Sequence, residues 1–311
     1  MMTIFKTLQD GLTVVDQIVP GSWVHVVDPA PTEIDRLQEE CGIPDTFITA
    51  SLDVDALARI DTEQDMMLIT FLMPHVYSDD ANEVPYSTTP LGIILTKECL
   101  FTISKIPPPF LSDLTTRHAK ELATAKRHRL VLLLFLAIAQ SYLLYLRQLE
   151  NQVDAIQRKV QISLQNKELL ELLRYQKSLV YFLTSLESND LLMQRLQRTH
   201  LFEMYPDDLN LLEDVLTTNA QASNMTKISS DILSQMMDAY ASIISNNVNA
   251  VMKILAVATI ILSIPTVMAS VYGMNVPLPG QESGWAFGGI IGISLVIGVL
   301  VGVIFWKRHW L

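Results

Sequence analysis

The longest apolar runs lie at the C-terminal end of the chain. Ile254–Met274 is a continuous uncharged stretch after Lys253, and Ser283–Trp306 is a second, closed by Lys307 and Arg308. Each exceeds the roughly 20 residues that a helix needs to cross about 30 Å of hydrocarbon. The pattern therefore predicts two membrane spans. A third run, Leu130–Leu146 (LVLLLFLAIAQSYLLYL), is at the short limit for a span and contains Gln140 and Ser141. Its apolar repeat continues beyond the run at Leu149, Val153, Ile156 and Val160. That continuation predicts one long amphipathic helix packed on a soluble core.

Upstream the periodicity is mixed. Trp23–Val27 alternates like a short strand, and Pro31–Cys41 reads as a helix ended by Gly42. Met66–Met73 is a compact apolar run ending at Pro74, which fits a buried strand. Gly92–Leu95 and Leu100–Ile103, joined by Thr96–Cys99, read as a hairpin, and Ser78–Pro90 reads as a polar loop. From about Ser112 the chain reads as helix, with stretches over 167–187 and 190–203. Pro206 then starts a last helix, with Asp207 and Asp208 in its first turn, where acids suit the helix dipole. No Pro or Gly follows until Pro265, so this helix runs unbroken into the first span and ends at Gly273.

The expected fold class is an α+β cytoplasmic domain, then a long helical stalk and two C-terminal transmembrane helices. The expected segments are an α/β domain over 1–125, a helical region over 126–206 and a stalk helix over 207–274 that becomes the first span at about 253. An outer loop over 275–283, a second span over 284–306 and a basic tail over 307–311 follow.

Charge refines this picture. The chain carries a net −11, whereas residues 253–311 hold Lys253, Lys307 and Arg308 against Glu282, a net +2, which leaves −13 on residues 1–252. So acidic a domain argues against nucleic acid as a partner. It is compatible with cation binding, but on its own it fits a solvated surface better. The loop Asn275–Glu282 lacks Lys and Arg, so the positive-inside rule places both termini in the cytoplasm of a cell-membrane protein. Tyr272, Trp285, Trp306 and Trp310 lie near the span ends, where amphipathic rings favour the interface. Nothing at the N-terminus resembles a cleavable signal. The two cysteines, Cys41 and Cys99, lack metal-ligand spacing and are expected to be reduced and buried. His75, His118, His128 and His200 show no paired spacing, and no nucleophile elbow or phosphate-binding loop occurs. The residues favour no enzyme, and no cofactor is expected.

The most informative pattern is a spacing of seven. Asn224, Asp231, Asp238, Ser245, Met252, Thr259 and Thr266 form one series, and Ser242, Asn249, Ala256, Ser263 and Ser270 a second, offset by four. Together they make a seam of period 3.5, as in a supercoiled bundle, but a small and polar one suited to water. Within the first span, Thr259, Ser263, Thr266 and Ser270 fall within about 60° of one face. Two readings stand: hydroxyls bonded to their own helix or joining helices, or a pore face. Neither span carries a carboxylate, and Mg²⁺ sheds water reluctantly, so neutral oxygens suit a largely hydrated ion. Met252 and Leu255 would form an apolar constriction, and Asp231 and Asp238 would form acidic rings below it. A single lining helix encloses no pore, so the pore reading requires a ring of copies. Gly284, Gly288 and Gly292, and again Gly298 and Gly302, recur every four residues, which marks the second span as a packing helix.

Tyr272–Gly273–Met274–Asn275 (YGMN), placed after the first of two C-terminal spans and followed by a short loop and a basic end (KRHWL), resembles the CorA family of magnesium transporters. The approach Asn247–Leu255 (NVNAVMKIL) is similar too. Before residue 200 the likeness is loose, carried by Trp23, Pro29, Ile43–Pro44, Leu52–Asp53 and Arg59–Ile60. The resemblance implies a funnel-shaped homopentamer in the lipid bilayer that conducts Mg²⁺ passively or under the membrane potential. It implies Gly273, Met274 and Asn275 at the outer mouth, with Asn249, Met252, Leu255, Thr259, Ser263, Thr266 and Ser270 lining the conduit. It further implies that cytoplasmic Mg²⁺, both cargo and regulatory ligand, closes the pore by binding between subunits. The matching acid is Asp214, with Asp53 or Asp55 of another subunit as its partner. Carboxylates repel without a cation and are bridged by one.

The chain departs from the family in places. Many members carry Met-Pro-Glu-Leu after the motif, where this chain has VPLPGQES with Glu282 as its only charge. The Thr often found after the pore Leu is Ala256, and Pro265 is displaced by one position. Co²⁺, Ni²⁺ and Zn²⁺ therefore stay open as cargoes, and a non-conducting metal sensor or scaffold is the alternative.

Overall fold

The computed structural model describes residues 1–8, 11–77, 84–117, 122–162, 166–199, 206–275 and 284–308. The chain divides into two packed units, Met1–Gln235 and Met236–Leu311.

The first unit is built on a seven-stranded sheet: β1 (Met2–Leu8), β2 (Gly11–Val15), β3 (Trp23–Val27), β4 (Arg59–Glu63), β5 (Met66–Val76), β6 (Tyr86–Leu95) and β7 (Leu100–Ser104). The spatial order is β2-β1-β3-β7-β6-β5-β4. Only β3 and β7 run parallel, with Trp23 opposite Leu100 and Val27 opposite Ser104. The crossover between them carries α1 (Pro31–Glu39) and α2 (Asp45–Leu52) onto one face. There Leu37, Ile43, Phe47 and Ile48 pack against Val24, Val26, Leu68, Ile94 and Phe101, all buried. Gly42, at φ +66°, turns the chain out of α1 so that Ile43 N donates back to Leu37 O at 3.2 Å. α2 lies so close to the sheet that a Cβ on Gly92 would sit 1.8 Å from Ser51 Oγ.

The other face is covered by α4 (Arg127–Ile162) and α5 (Asn166–Thr199); α3 (Leu111–Arg117) precedes them. Phe71 of β5 stacks on Phe135 of α4 with ring centroids 4.2 Å apart. Tyr142 donates its hydroxyl to Leu72 O at 3.0 Å. The apolar run Leu130–Leu146 is thus a packing face, as its continued repeat predicts. By length and composition α4 matches a span, but 56% of its apolar window is buried, against 6% for each of the two C-terminal helices. Beyond the sheet, Leu146, Leu149, Val153, Ile156 and Val160 stay buried, as do Leu172, Leu179 and Leu186 of α5.

Several boundaries differ from the sequence pattern. Pro74 does not end β5, which continues to Val76, and Tyr86–Pro90 is strand where a polar loop is expected. The reason is edge geometry. β4 pairs only with Met66–Thr70, and β7 only with Leu91–Leu95, so Pro74 and Pro90 lie beside open edges where no N–H is needed. Residues 78–83 of the expected loop lie outside the described residues. The two expected helices over 167–187 and 190–203 are one, α5, through Ser188 and Asn189. These side chains serve the sheet rather than breaking the helix. Asn189 Oδ1 accepts Leu72 N at 2.9 Å and its Nδ2 donates to Leu72 O at 2.8 Å, as a neighbouring strand would. Ser188 Oγ accepts Ala58 N, and Ser178 Oγ accepts Tyr86 N.

α6 runs from Pro206 to Tyr272, as the unbroken pattern predicts, and α7 from Ala286 to Lys307. In the first unit its buried side is Leu212, Val215, Asn219, Ala222, Thr226 and Leu233, a seam of period 3.5. Arg129 binds Asp208 at 2.9 Å, Ser229 donates to Glu150 at 2.6 Å, and Gln176 donates to Ser234 at 2.9 Å.

Candidate ion pathway and regulatory acids

The polar stripe lies on the exposed side of α6. Asn224 stands two residues from both Ala222 and Thr226, about 160° round the helix from the buried seam. Asn224, Asp231, Asp238, Ser242, Ser245 and Asn249 are all exposed.

The same opposition holds in the second unit. α7 packs on one side of α6: Gly298 and Gly302 would place a Cβ 3.6 and 3.8 Å from the Ile261 side chain, and Val257 is 2% exposed. Glycine lets the helices approach this closely. Thr259 lies between Val257 and Ile261 in sequence, so it points away from α7. Thr259, Ser263, Thr266 and Ser270 are all exposed on that far side. Met252, Leu255, Ala256, Thr259, Ile260 and Ser263 line one open groove there. Met252 and Leu255 are 57% and 58% exposed, large apolar side chains left mostly uncovered by the described residues. Thr259 donates to Leu255 O at 2.8 Å, Thr266 to Leu262 O at 3.2 Å and Ser263 to Ile260 O at 2.8 Å. The hydroxyls thus bond their own helix while remaining on an uncovered face, so the two readings of these residues are compatible.

α6 closes with Gly273 N donating to Ala269 O at 2.9 Å and Met274 N to Val271 O at 3.3 Å. A Cβ on Gly273 would meet Ala269 O at 3.2 Å, tighter than an ordinary contact. Gly273, Met274 and Asn275 are exposed beyond the last turn. Residues 276–283 with Glu282, and His309 and Trp310 of the tail, lie outside the described residues, as do His118 and His200.

Asp214 is exposed on α6, and Asp53 and Asp55 are exposed after α2. Asp53 Oδ1 accepts Asp55 N at 3.1 Å, which turns that loop. Among the described residues no three His, Cys, Asp or Glu side chains gather to hold a metal. The cysteine expectation needs one correction: Cys99 is buried but Cys41 is only half-buried, at the end of α1 beside a surface cleft. Burial pushes the Cys41 thiol up to about 11, so it stays protonated. The sequence pattern also missed that the glycine series divide. Gly298 and Gly302 pack on Ile261, whereas Gly284, Gly288 and Gly292 face open space. The period of four marks both and cannot tell a contact within the chain from one outside it.

The comparisons with known proteins agree over the whole length. The chain is 26% identical to the cobalt/magnesium transport protein CorA of Methanocaldococcus jannaschii, covering 100% of both chains. It is 24% identical to the protein of the same name in Thermotoga maritima, covering 99% of this chain and 88% of the relative. Among solved structures, the complete CorA magnesium transporter of M. jannaschii superposes with a TM-score of 0.84 at 24% identity, over 100% of this chain and 99% of that one. The full-length CmaX protein gives 0.70 at 15% identity, over 96% of each chain. The likeness in fold includes the α+β domain, the long helices and the two C-terminal transmembrane helices. The family model described as CorA-like Mg2+ transporter protein matches residues 21–308, and the chain belongs to that family, one of ion transporters and not of enzymes.

Proposed function

We propose that the chain forms a homo-oligomeric, passive or potential-driven channel for divalent cations, Mg²⁺ first among them, with both termini in the cytoplasm. The observation that carries this reading is the side of α6 on which the hydroxyls lie. α7 covers the Val257–Ile261 side, and the Thr259–Ser263–Thr266–Ser270 side stays open. In a ring of copies, that side and Asn249, Met252 and Leu255 would line a common axis, with Gly273, Met274 and Asn275 at its outer end. Asp231 and Asp238 lie on the same series and would gather cations at the inner approach. Five copies is the number implied by resemblance.

Regulation by cytoplasmic Mg²⁺ follows the same logic. Asp214 and Asp53 or Asp55 are exposed, and no described set within one chain completes a metal site, so a bridging cation would need carboxylates from two copies. A cobalt reading stands beside the magnesium one, because the M. jannaschii and T. maritima relatives are named for both ions.

The test is ion entry into proteoliposomes of the purified protein under an inside-negative potential, with an internal Mg²⁺ dye and an Asn275→Ala variant alongside. Mg²⁺ entry lost on Asn275→Ala supports the channel. Co²⁺ or Zn²⁺ entry without Mg²⁺ keeps the pore and changes its cargo. No divalent flux from correctly inserted, oligomeric protein refutes conduction and leaves a sensor or scaffold. Asp214→Ala is expected to raise the internal Mg²⁺ concentration at which entry stops.

A further inference from the structure

The seam by which α6 docks in the first unit has one member that apolar packing does not explain. Asn219 is 1% exposed, in line with Val215, Ala222 and Leu233. Its Nδ2 donates to Leu186 O of α5 at 3.2 Å, while its Oδ1 is buried with no hydrogen-bond partner. A buried amide at a seam position costs stability relative to leucine, and its best-attested role in helix packing is to fix register.

Two neighbouring seam positions add little to the choice of register. Ala222 and Thr226 are small, and Thr226 spends its hydroxyl on Ala222 O of its own helix. Such positions distinguish poorly between dockings displaced by one seam step, a shift of three or four residues or about 5 Å. A step would put Val215 or Ala222 opposite Leu186 O, and a seven-residue shift would put Leu212 or Thr226 there. Each shift leaves the Asn219 amide buried without its acceptor. The ties at Ser229 and Ser234 involve partly exposed groups, which water can satisfy in any register; the Arg129–Asp208 pair, with Asp208 buried at the start of α6, favours the same register as Asn219.

We propose that Asn219 is the positioning residue that selects one axial register of α6 on α5. Its unmet Oδ1 keeps that register only modestly favoured, so α6 can be displaced. The consequence for conduction rests on the proposed function: α6 carries Asp214 five residues before Asn219 and continues as the helix bearing the hydroxyl stripe. A cation bridging Asp214 would then act on the axial position of that helix.

The experiment measures register directly. Spin labels replace Lys177 on α5 and Lys227 on α6, both exposed, in full-length protein carrying Cys41→Ser and Cys99→Ala and diluted with unlabelled copies. The parent is expected to give one narrow distance distribution. Asn219→Leu is expected to raise the alternative register about tenfold, the worth of one buried hydrogen bond, as a second population displaced by about 5 Å. Its thermal stability should stay equal or rise. A single unshifted distribution in Asn219→Leu overturns the proposal, because apolar packing and the Arg129–Asp208 pair then set the register without the amide. Asn219→Ala, which removes the amide without adding volume, gives the same readout if the leucine variant does not fold. The distances do not depend on transport, so failure of the channel reading and failure of the register reading are separable.

Discussion

Asn189→Ala tests how α5 is fastened to the sheet. Asn189 is fully buried and occupies the place of a missing strand beside Leu72, where β4 no longer pairs with β5. Alanine removes two hydrogen bonds, of 2.9 and 2.8 Å. Leu72 O keeps the Tyr142 hydroxyl, but Leu72 N is left buried with no acceptor. Two net hydrogen bonds at about 1 kcal/mol each, plus about 1–3 kcal/mol for the orphaned N–H, give a loss of about 3–5 kcal/mol. Hydrogen exchange read by mass spectrometry on peptides covering β5 should show this as opening about 100-fold more frequent or greater. Asn189→Asp sharpens the test. The ionised carboxylate accepts Leu72 N but faces Leu72 O, so its folded-state pKa rises above the unfolded value and the variant regains stability as pH falls. Alanine gains nothing on acidification. β5 exchange in Asn189→Ala within threefold of the parent would refute the reasoning, because water or a shifted helix would then be serving Leu72 N.

Other expectations follow from the same structure. His25 is buried and its ring is held neutral, its pKa lowered to about 4 by desolvation and then by the chain's terminal ammonium. The folded value lies below the unfolded one near 6.5, so this contribution is complete above pH 6.5 and lost on falling toward 4, by at most about 3 kcal/mol. Unfolding temperatures of the parent and His25→Gln should therefore diverge across that window. Gly92→Ala should destabilise by at least about 1–3 kcal/mol, because its Cβ would lie 1.8 Å from Ser51 Oγ and 2.4 Å from Ser51 Cβ. Adding Ser51→Gly should restore part of that loss in a double-mutant cycle. Gly298→Leu should push α7 off Ile261 and lower thermal stability in detergent, whereas a Cβ on Gly288 meets nothing among the described residues, so a loss of the oligomer on size exclusion in Gly288→Leu would report a neighbouring copy.

Long, uninterrupted features were legible in the sequence. The start of α6 at Pro206, its passage to Tyr272 and the outward polar stripe all follow from helical periods sustained over many turns. Leu130–Leu146 was distinguishable from a span only because its repeat continued past the run. Short features were not legible. Pro74 and Pro90 look like strand ends until the pairing shows that each borders an open edge. Ser188 and Asn189 look like a helix break because sequence cannot reveal that their polar groups meet an unpaired strand. β1, β2 and β4 have mixed polarity, and their pairing partners create them. At the site, residue types placed the stripe, but which glycines would meet Ile261 depended on helix phase, which a period of four does not carry.

The bonds that Thr259, Ser263 and Thr266 make to their own helix have a consequence for the sign of the ion. With the three hydroxyl protons committed to the carbonyls of Leu255, Ile260 and Leu262, only oxygen lone pairs remain to face the open side of α6. A hydrated cation turns its water hydrogens outward, and lone pairs accept them. A hydrated anion's waters spend one O–H on the ion, and the oxygen lone pairs they turn outward find no donor there. In the proposed conduit, the Thr259–Thr266 stretch of wall, which only accepts hydrogen bonds, would favour cations without a carboxylate in the span, and without stripping the ion of the water it holds most tightly.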